Sequence, residues 1–461
     1  MRNLTVGLCS ALLVVAVQPA AATDLVEVWR AAQQNDLEFT AARAAHGAGE
    51  ARRLQSASLW RPTLQFAGTV GGASNETATR GAQFSAPGFG QSNGTNFNTS
   101  INNGNTTRWA LQARQPLVSR ERDAQKRQLE LSADMADLEW LVAQQALMLR
   151  TAEHYFDTLL ASESLRVLRR QQLAVENAGT EARDRFRLGD VPVTDTFEAA
   201  ARAEAIKAQV LAAETQLQLS QAALADVTGL PETELQALAP AGDVGPQELP
   251  VLSQWLAEAQ ARNPQLRMQV AGTEVARQEA AKFSVLASPS LDLIAQVTRE
   301  RLNGSGDFGP ASNKLNNAAI GLQLTVPLYS GGYRSAKRVE ALHLADKAAA
   351  EAGRAAQQVA QQTRAAWLGL TVGAGRVAAL AESLKATRSR LDATRVGRRV
   401  GDRTTLDLLN AENDAAGAEL ALMQARVTLL LDRLRLAALA GRLDEWQLQA
   451  VNATLQPLAP R

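Results

Sequence analysis

The chain has 461 residues, 46% of them apolar in type and only 4% aromatic, with 48 Lys and Arg against 47 Asp and Glu. That balance, with both signs mixed along the chain, excludes the basic block that nucleic-acid binding needs. The few aromatics argue against large compact cores, and the abundance of Ala, Leu, Gln, Glu and Arg points to long helices packed on helices.

The first 22 residues read as a secretory signal. Arg2 supplies the positive end, Leu4 to Val17 the apolar stretch, and Ala20-Ala21-Ala22 the cleavage site, which predicts a mature start at Thr23. The only cysteine, Cys9, lies inside this segment behind Leu8, where a lipid anchor wants a small residue, so it reads as apolar filler. A mature chain without cysteine has neither disulfides nor thiolate metal sites. No later stretch approaches 18 consecutive apolar residues, so a membrane location would require a closed β-barrel.

From Asp24 to Ser58 the apolar residues Leu25, Val28, Trp29 and Ala32 recur at helical spacing. Pro62 ends the helix. Strict alternation follows, with Leu64, Phe66, Gly68 and Val70 on one face and Gln65 and Thr69 on the other, which predicts a strand. Residues 71–107 are rich in Gly, Asn, Ser and Thr, with Asn93-Gly94 and Asn103-Gly104 as turn signals, and predict a loop. Alternation resumes at Trp109, Leu111, Ala113 and Leu117. A helix is then expected over 121–187; at ~1.5 Å per residue it would be on the order of 100 Å long. It breaks at Gly189-Asp190-Val191-Pro192, and a second helix is expected over 194–228. A linker, 231–250, follows.

The same order then recurs: helix 252–286, a strand through Leu291, Leu293, Ala295 and Val297, a loop at 300–317, a strand through Ile320, Leu322, Leu324, Val326 and Leu328, a long helix 333–400, a break at Gly401-Asp402, and a helix 404–440. The repetition holds in register. Leu25, Gln33, Pro62, Leu64 and Val70 meet Leu252, Gln260, Pro289, Leu291 and Val297 at an offset of 227; Leu111-Gln112 meets Leu322-Gln323 at 211; Gly189-Asp190, Asp195 and Gly229 meet Gly401-Asp402, Asp407 and Gly441 at 212. The organisation expected is a signal peptide (1–22), a first repeat (23–230, hairpin 61–118), a linker (231–250), a second repeat (251–441, hairpin 289–329) and a C-terminal tail (442–461).

Four alternating segments of about ten residues have the dimensions of outer-membrane strands. Four cannot close a barrel, since ~8 is the practical minimum, so membrane strands would require oligomerisation, and three copies would give twelve. The alternative is two soluble β-hairpins packed on a helical bundle.

The duplicated plan, the strand ends Gln115-Pro116-Leu117 and Val326-Pro327-Leu328-Tyr329-Ser330-Gly331-Gly332, the turns at Leu188–Asp195 and Val400–Asp407, and Asn263-Pro264-Gln265-Leu266 with its degenerate counterpart Asn35-Asp36-Leu37-Glu38-Phe39 together resemble the TolC family of outer-membrane export ducts. The resemblance covers essentially the whole mature chain and rests on order and spacing. It implies an α+β membrane protein: a homotrimer with a twelve-stranded outer-membrane β-barrel above a periplasmic α-helical barrel. It also implies docking to a periplasmic adaptor (membrane fusion) protein and to an inner-membrane ABC exporter or proton-driven pump, in the envelope of a Gram-negative bacterium.

The resemblance further implies a constriction at the periplasmic entrance. Asp407 matches the family's first entrance aspartate, Asn410 stands where a second is usual, Arg403 matches a gate-stabilising arginine, and Arg398 stands where some members carry an aromatic. Asp195 and Glu198 hold the corresponding places in the first half. For Asp407, and more so for Asp195 and Glu198, helix-start chemistry is the competing explanation, with Thr404 or Thr405 as the cap in the second half. The turns Gly189-Asp190 and Gly401-Asp402 reverse the chain between helices; the resemblance adds that they meet the adaptor.

Trp29, Trp140 and Trp367 read as packing residues, and Trp109 as packing or as part of an interfacial aromatic belt. His46, His154 and His343 follow no metal-ligand spacing, and no Walker motif, nucleophile elbow or paired-carboxylate context occurs. The expectation is a duct rather than an enzyme, with no cofactor and no metal. Protein secretion of the type I kind is the leading reading, with small-molecule efflux as the alternative. A soluble periplasmic coiled-coil scaffold or adaptor is the rival class.

Overall fold

The computed structural model describes residues 23–88, 90–230, 235–238, 250–283, 288–307 and 309–456. The expected signal peptide and most of the expected linker lie outside the described residues. The chain divides into two compact units: Met1–Gly47 with Ala136–Gln269 and Glu351–Arg461, and Ala48–Met135 with Val270–Ala350. Both units draw on both halves of the sequence, so the compact unit is not the sequence repeat.

The helices come in matching sets. The first half gives α1 (Leu25–Asn35), α2 (Leu37–Ser58), α3 (Arg120–Leu188, 69 residues) and α4 (Val193–Thr228, 36 residues). The second gives α5 (Leu252–Arg262), α6 (Pro264–Lys282), α7 (Tyr333–Arg399, 67 residues) and α8 (Thr405–Leu439, 35 residues). Among the described residues, no helix is long and apolar enough to cross a membrane.

The helices expected over 24–58 and 252–286 are each broken, at Asp36 and Asn263, which are equivalent positions 227 apart. The cause is local. Asp36 Oδ1 accepts the Phe39 amide at 2.6 Å, and Asn263 Oδ1 accepts the Leu266 amide at 2.9 Å. Each side chain caps the next helix, and Pro264 suits the first helical position because it has no N–H to satisfy.

In the first unit the core gathers Leu25, Val28 and Trp29 of α1, Leu147, Tyr155 and Phe156 of α3, Leu370 of α7, and Leu429, Leu430 and Leu434 of α8. The segment expected as a tail contributes too. It contains α9 (Glu445–Asn452), whose Leu448 and Val451 are fully buried in that core. The strand β6 (Leu455–Gln456) pairs antiparallel with β3 (Ala237–Leu238). Asn452 ties the ends together: its Oδ1 accepts the Leu25 amide and its Nδ2 donates to Asp24, both at 2.9 Å. The Tyr155 hydroxyl donates to the Gln236 carbonyl at 2.9 Å, and burial pushes its pKa up.

The second unit holds one antiparallel sheet in the order β1-β2-β4-β5, where β1 is Thr63–Ala86, β2 Gly90–Ser119, β4 Ser290–Gly306 and β5 Gly309–Thr325. The loops expected at 71–107 and 300–317 are therefore largely strand. Glycine and asparagine there do not end the ladder. The Asn103-Gly104 signal marks a bulge, with Asn103 at φ 48° and the register slipping between Asn102 and Asn105. The backbone ladder is indifferent to side-chain polarity, so the strands outlast the apolar alternation that revealed them.

Register places the side chains. Phe66, Leu111, Val297 and Ala318 lie in one cross-strand row, and Leu64, Ala113, Ala295 and Ile320 in the next. This face is open: Leu64 is 70% exposed and Ile320 76%. The opposite face carries Gln65, Gln112, Gln296 and Ala319 in a single row, and two ion pairs. Arg114 Nη2 donates to Asp292 Oδ2 at 2.5 Å, and Arg108 faces Glu300 at 4.0 Å.

Candidate functional site

The turns between α3 and α4 and between α7 and α8 are built alike. Gly189 (φ 80°) and Gly401 (φ 84°) occupy the left-handed region where an L side chain is strained. The Asp190 amide bonds the Arg185 carbonyl at 2.9 Å, and the Asp402 amide bonds the Gly397 carbonyl at 2.8 Å. With the Gly189–Phe186 and Gly401–Arg398 bonds, each turn is a complete Schellman motif. Gly189, Asp190, Gly401 and Asp402 are all exposed.

The helices that leave the turns start differently. Thr404 caps α8: its hydroxyl accepts the Asp407 amide at 3.1 Å, and Asp407 Oδ2 accepts the Thr404 amide at 3.0 Å and hydroxyl at 2.9 Å. This is a closed capping box. Those hydrogen bonds, the backbone one first, hold the Asp407 carboxyl below its ordinary value, helped by the charge of Arg403. In α4 the cap position is Pro192, which has neither a hydroxyl nor an N–H to offer, and no side-chain cap forms. Asp195 is half-buried and Glu198 exposed, and among the described residues neither carboxylate has a partner. Helix-start chemistry therefore engages Asp407, whereas among the described residues Asp195 and Glu198 both keep their carboxylates unengaged.

Asn410 is exposed and accepts a hydrogen bond from Arg202 of α4 at 2.7 Å. Arg403 is exposed, its stem lying against Gly397 and its Nε 4.0 Å from Asp402. Arg398 is not on the surface. It is 3% exposed and lies 2.9 Å from Glu181 of α3, yet none of its guanidinium nitrogens attains hydrogen-bond geometry. In this conformation Arg398 is a buried tie between α7 and α3. Arg185 also reaches Glu181, at 3.3 Å.

Further from the turns, a second tie joins three helices. Glu419 of α8 meets Arg166 at 3.0 Å and Arg170 at 2.7 Å, both on α3, and Arg388 of α7 at 3.2 Å. Burial alone would raise the Glu419 pKa, but the hydrogen bonds from Arg170, Arg166 and Arg388 outweigh it and hold the carboxyl below its ordinary value. Sequence reading missed Glu181, Arg202 and Glu419. Nothing in their own neighbourhoods marks them, because each gains its role from a helix far away in sequence.

The remaining candidates are placed simply. Trp29 is buried in the helical core, Trp140 stacks on Phe39 at 4.7 Å, and Trp367 Nε1 donates to the Pro250 carbonyl at 3.2 Å. Trp109 sits at the end of the apolar rows of the sheet. His46 bonds Asp137 at 3.0 Å, and among the described residues no group of three or more His, Cys, Asp or Glu converges.

A sheet with one exposed apolar face, in the same chain as hairpins of very long helices, is the architecture of a duct-wall subunit. A model of the outer membrane efflux protein family matches residues 255–442. The chain is 28% identical to the alkaline protease secretion protein AprF of Pseudomonas aeruginosa, over 98% of this chain and 92% of AprF. It is 29% identical to the outer membrane protein TolC of Vibrio cholerae, over 71% of this chain and 75% of TolC. The crystal structure of CusC superposes with a TM-score of 0.71 at 14% identity, covering 93% of this chain and 95% of CusC. In sequence and in fold the chain is similar to the TolC family of outer membrane efflux proteins.

Proposed function

We propose that this chain is one of three subunits of an outer-membrane channel-tunnel, which conducts a secreted protein from an inner-membrane ABC exporter through a periplasmic adaptor. The observation that carries this reading is the sheet: four strands with an exposed apolar face and two free edges, β1 and β5. Such a sheet satisfies its backbone in lipid only by closing with further copies, and three copies supply twelve strands. A soluble scaffold leaves the open apolar face without a role. Each repeat (23–230 and 251–441) then supplies one hairpin and one helix set of the wall.

At the entrance we assign Asp195, Glu198 and Asp407 as acidic lining, Arg398 and Arg403 as ties that hold the tips, and Gly189, Asp190, Gly401 and Asp402 as the adaptor-facing ends. Asn410 leaves the acidic ring one carboxylate short, and Arg202 occupies its amide oxygen. The near end-to-end alignment with a protease secretion protein supports a protein cargo. Small-molecule efflux is the second reading, supported by the family's own description. Deleting the gene separates them. Loss of an exported protein from the medium with unchanged drug susceptibility supports secretion; increased susceptibility with intact secretion supports efflux and overturns the first reading.

A further inference from the structure

Charge is sorted between the two faces of the sheet. Over the rows from Asp292–Gln323 out to Gly72–Asn105–Asn303–Ser312, the polar face carries Arg108, Arg114, Asp292 and Glu300, and each cation has its acid. The apolar face carries Arg299, Arg301 and Lys314 over the same rows and no acid at all. All three are exposed, and among the described residues none has a hydrogen bond or ion pair from its side chain.

Their position is as specific as their sign. On β5 the apolar face runs through Leu324, Leu322, Ile320 and Ala318, ~20 Å at ~3.4 Å per residue. The next row outward, toward the hairpin turns, pairs Trp109 with Arg299, and the row beyond pairs Arg301 with Lys314. Like charges directly opposite each other on one face destabilise a sheet unless an anion lies between them. A tryptophan beside cations at the end of an apolar band is how a membrane-water interface is marked.

We propose that Arg299, Arg301 and Lys314 form a binding site for the phosphate of an anionic lipid headgroup in the leaflet at the hairpin-turn end of the sheet. Arg299 and Arg301 stand two residues apart on the same face, and Lys314 closes the site from the next strand. Two guanidinium forks and an ammonium supply directed donors to a phosphomonoester. The headgroup supplies the counter-charge that the protein lacks here, and the acyl chains run down over Phe66, Val297 and Ile320. The site rests on the membrane reading above but adds a lipid preference that the reading does not require.

The test is native mass spectrometry of the purified full-length protein in detergent, titrated with a bis-phosphorylated glycolipid, its dephosphorylated counterpart and phosphatidylglycerol. The wild type retains the phosphorylated glycolipid at least tenfold better than its dephosphorylated form. The combined R299Q, R301Q, K314Q variant loses that preference, and the charge-conserving R299K, R301K variant keeps most of it. A variant of the opposite face, R108Q with E300Q, binds like the wild type. Equal retention by the wild type and the three-site variant overturns the inference, and so does complete displacement of the lipid by millimolar inorganic phosphate. If the wild type itself fails to insert into bilayers, the membrane reading fails with it. If it inserts and conducts but shows no phosphate preference, only the lipid site is lost.

Discussion

Asp407 and Asp195 show how one neighbour decides what a carboxylate is free to do. With Thr404 before it, Asp407 is folded back into a capping box; with Pro192 in the equivalent place, no such box forms around Asp195. Replacing Thr404 by Ala should weaken the start of α8 by about 1 kcal/mol, seen as faster amide hydrogen exchange over 405–408. Because the Asp407 pKa lies below its ordinary value of 3.8, the carboxylate half of the box is at full strength above that value and weakens as the pH falls through the lowered one. Wild-type exchange at these amides should therefore move toward that of D407N only in strong acid, while the Thr404 hydroxyl keeps it slower than that of T404A. Arg398 poses the opposite problem, a buried charge with a single ionic partner and no aligned hydrogen bond. Removing Glu181 strands a buried guanidinium, whereas removing Arg398 leaves only the half-exposed Glu181, which water can solvate. R398M should leave the melting temperature within a few degrees of the wild type. E181Q should lower it further than R398M does, though Glu181 is half-exposed and water softens the loss. Equal effects would mean that the pair carries little.

Elements were legible in the sequence where periodicity had a physical cause, and illegible where it had none. The helical stretches of α3, α4, α7 and α8 showed because they are free of Pro and are joined in pairs by Gly-Asp turns. The breaks at Asp36 and Asn263 were missed although Asn263-Pro264 is a helix-start signal, because apolar spacing continues across them. The outer parts of β1, β2, β4 and β5 were read as loop because both faces there are polar, and alternation then carries no information. The tail after Gly441 was missed for a simpler reason: α9 is only eight residues long and is held by the core it enters. The two faces of the sheet can be tested against each other. Ile320→Arg, in the middle of the exposed apolar band, should cost about 2–4 kcal/mol of stability in lipid. Ala319→Arg, one residue away on the polar face, should cost far less. Folding yield into phospholipid vesicles measures both, and equal losses would contradict the assignment of faces.

For the whole molecule, the duplication supplies matched parts that were then specialised. The same Schellman turn, Asx break and long helix pair occur twice, but only the second half closes a capping box at its tip, and the first hairpin has much the longer strands. One copy alone offers one hairpin and one helix set; two copies in each of three chains would line a continuous wall. The central claim is that the assembled wall conducts, and single-channel recording of the purified full-length protein in a planar bilayer tests it most directly. Discrete, long-lived conductance steps from a detergent-stable trimer are the expected result. A monomer that stays in the aqueous phase and leaves the bilayer current unchanged would contradict it.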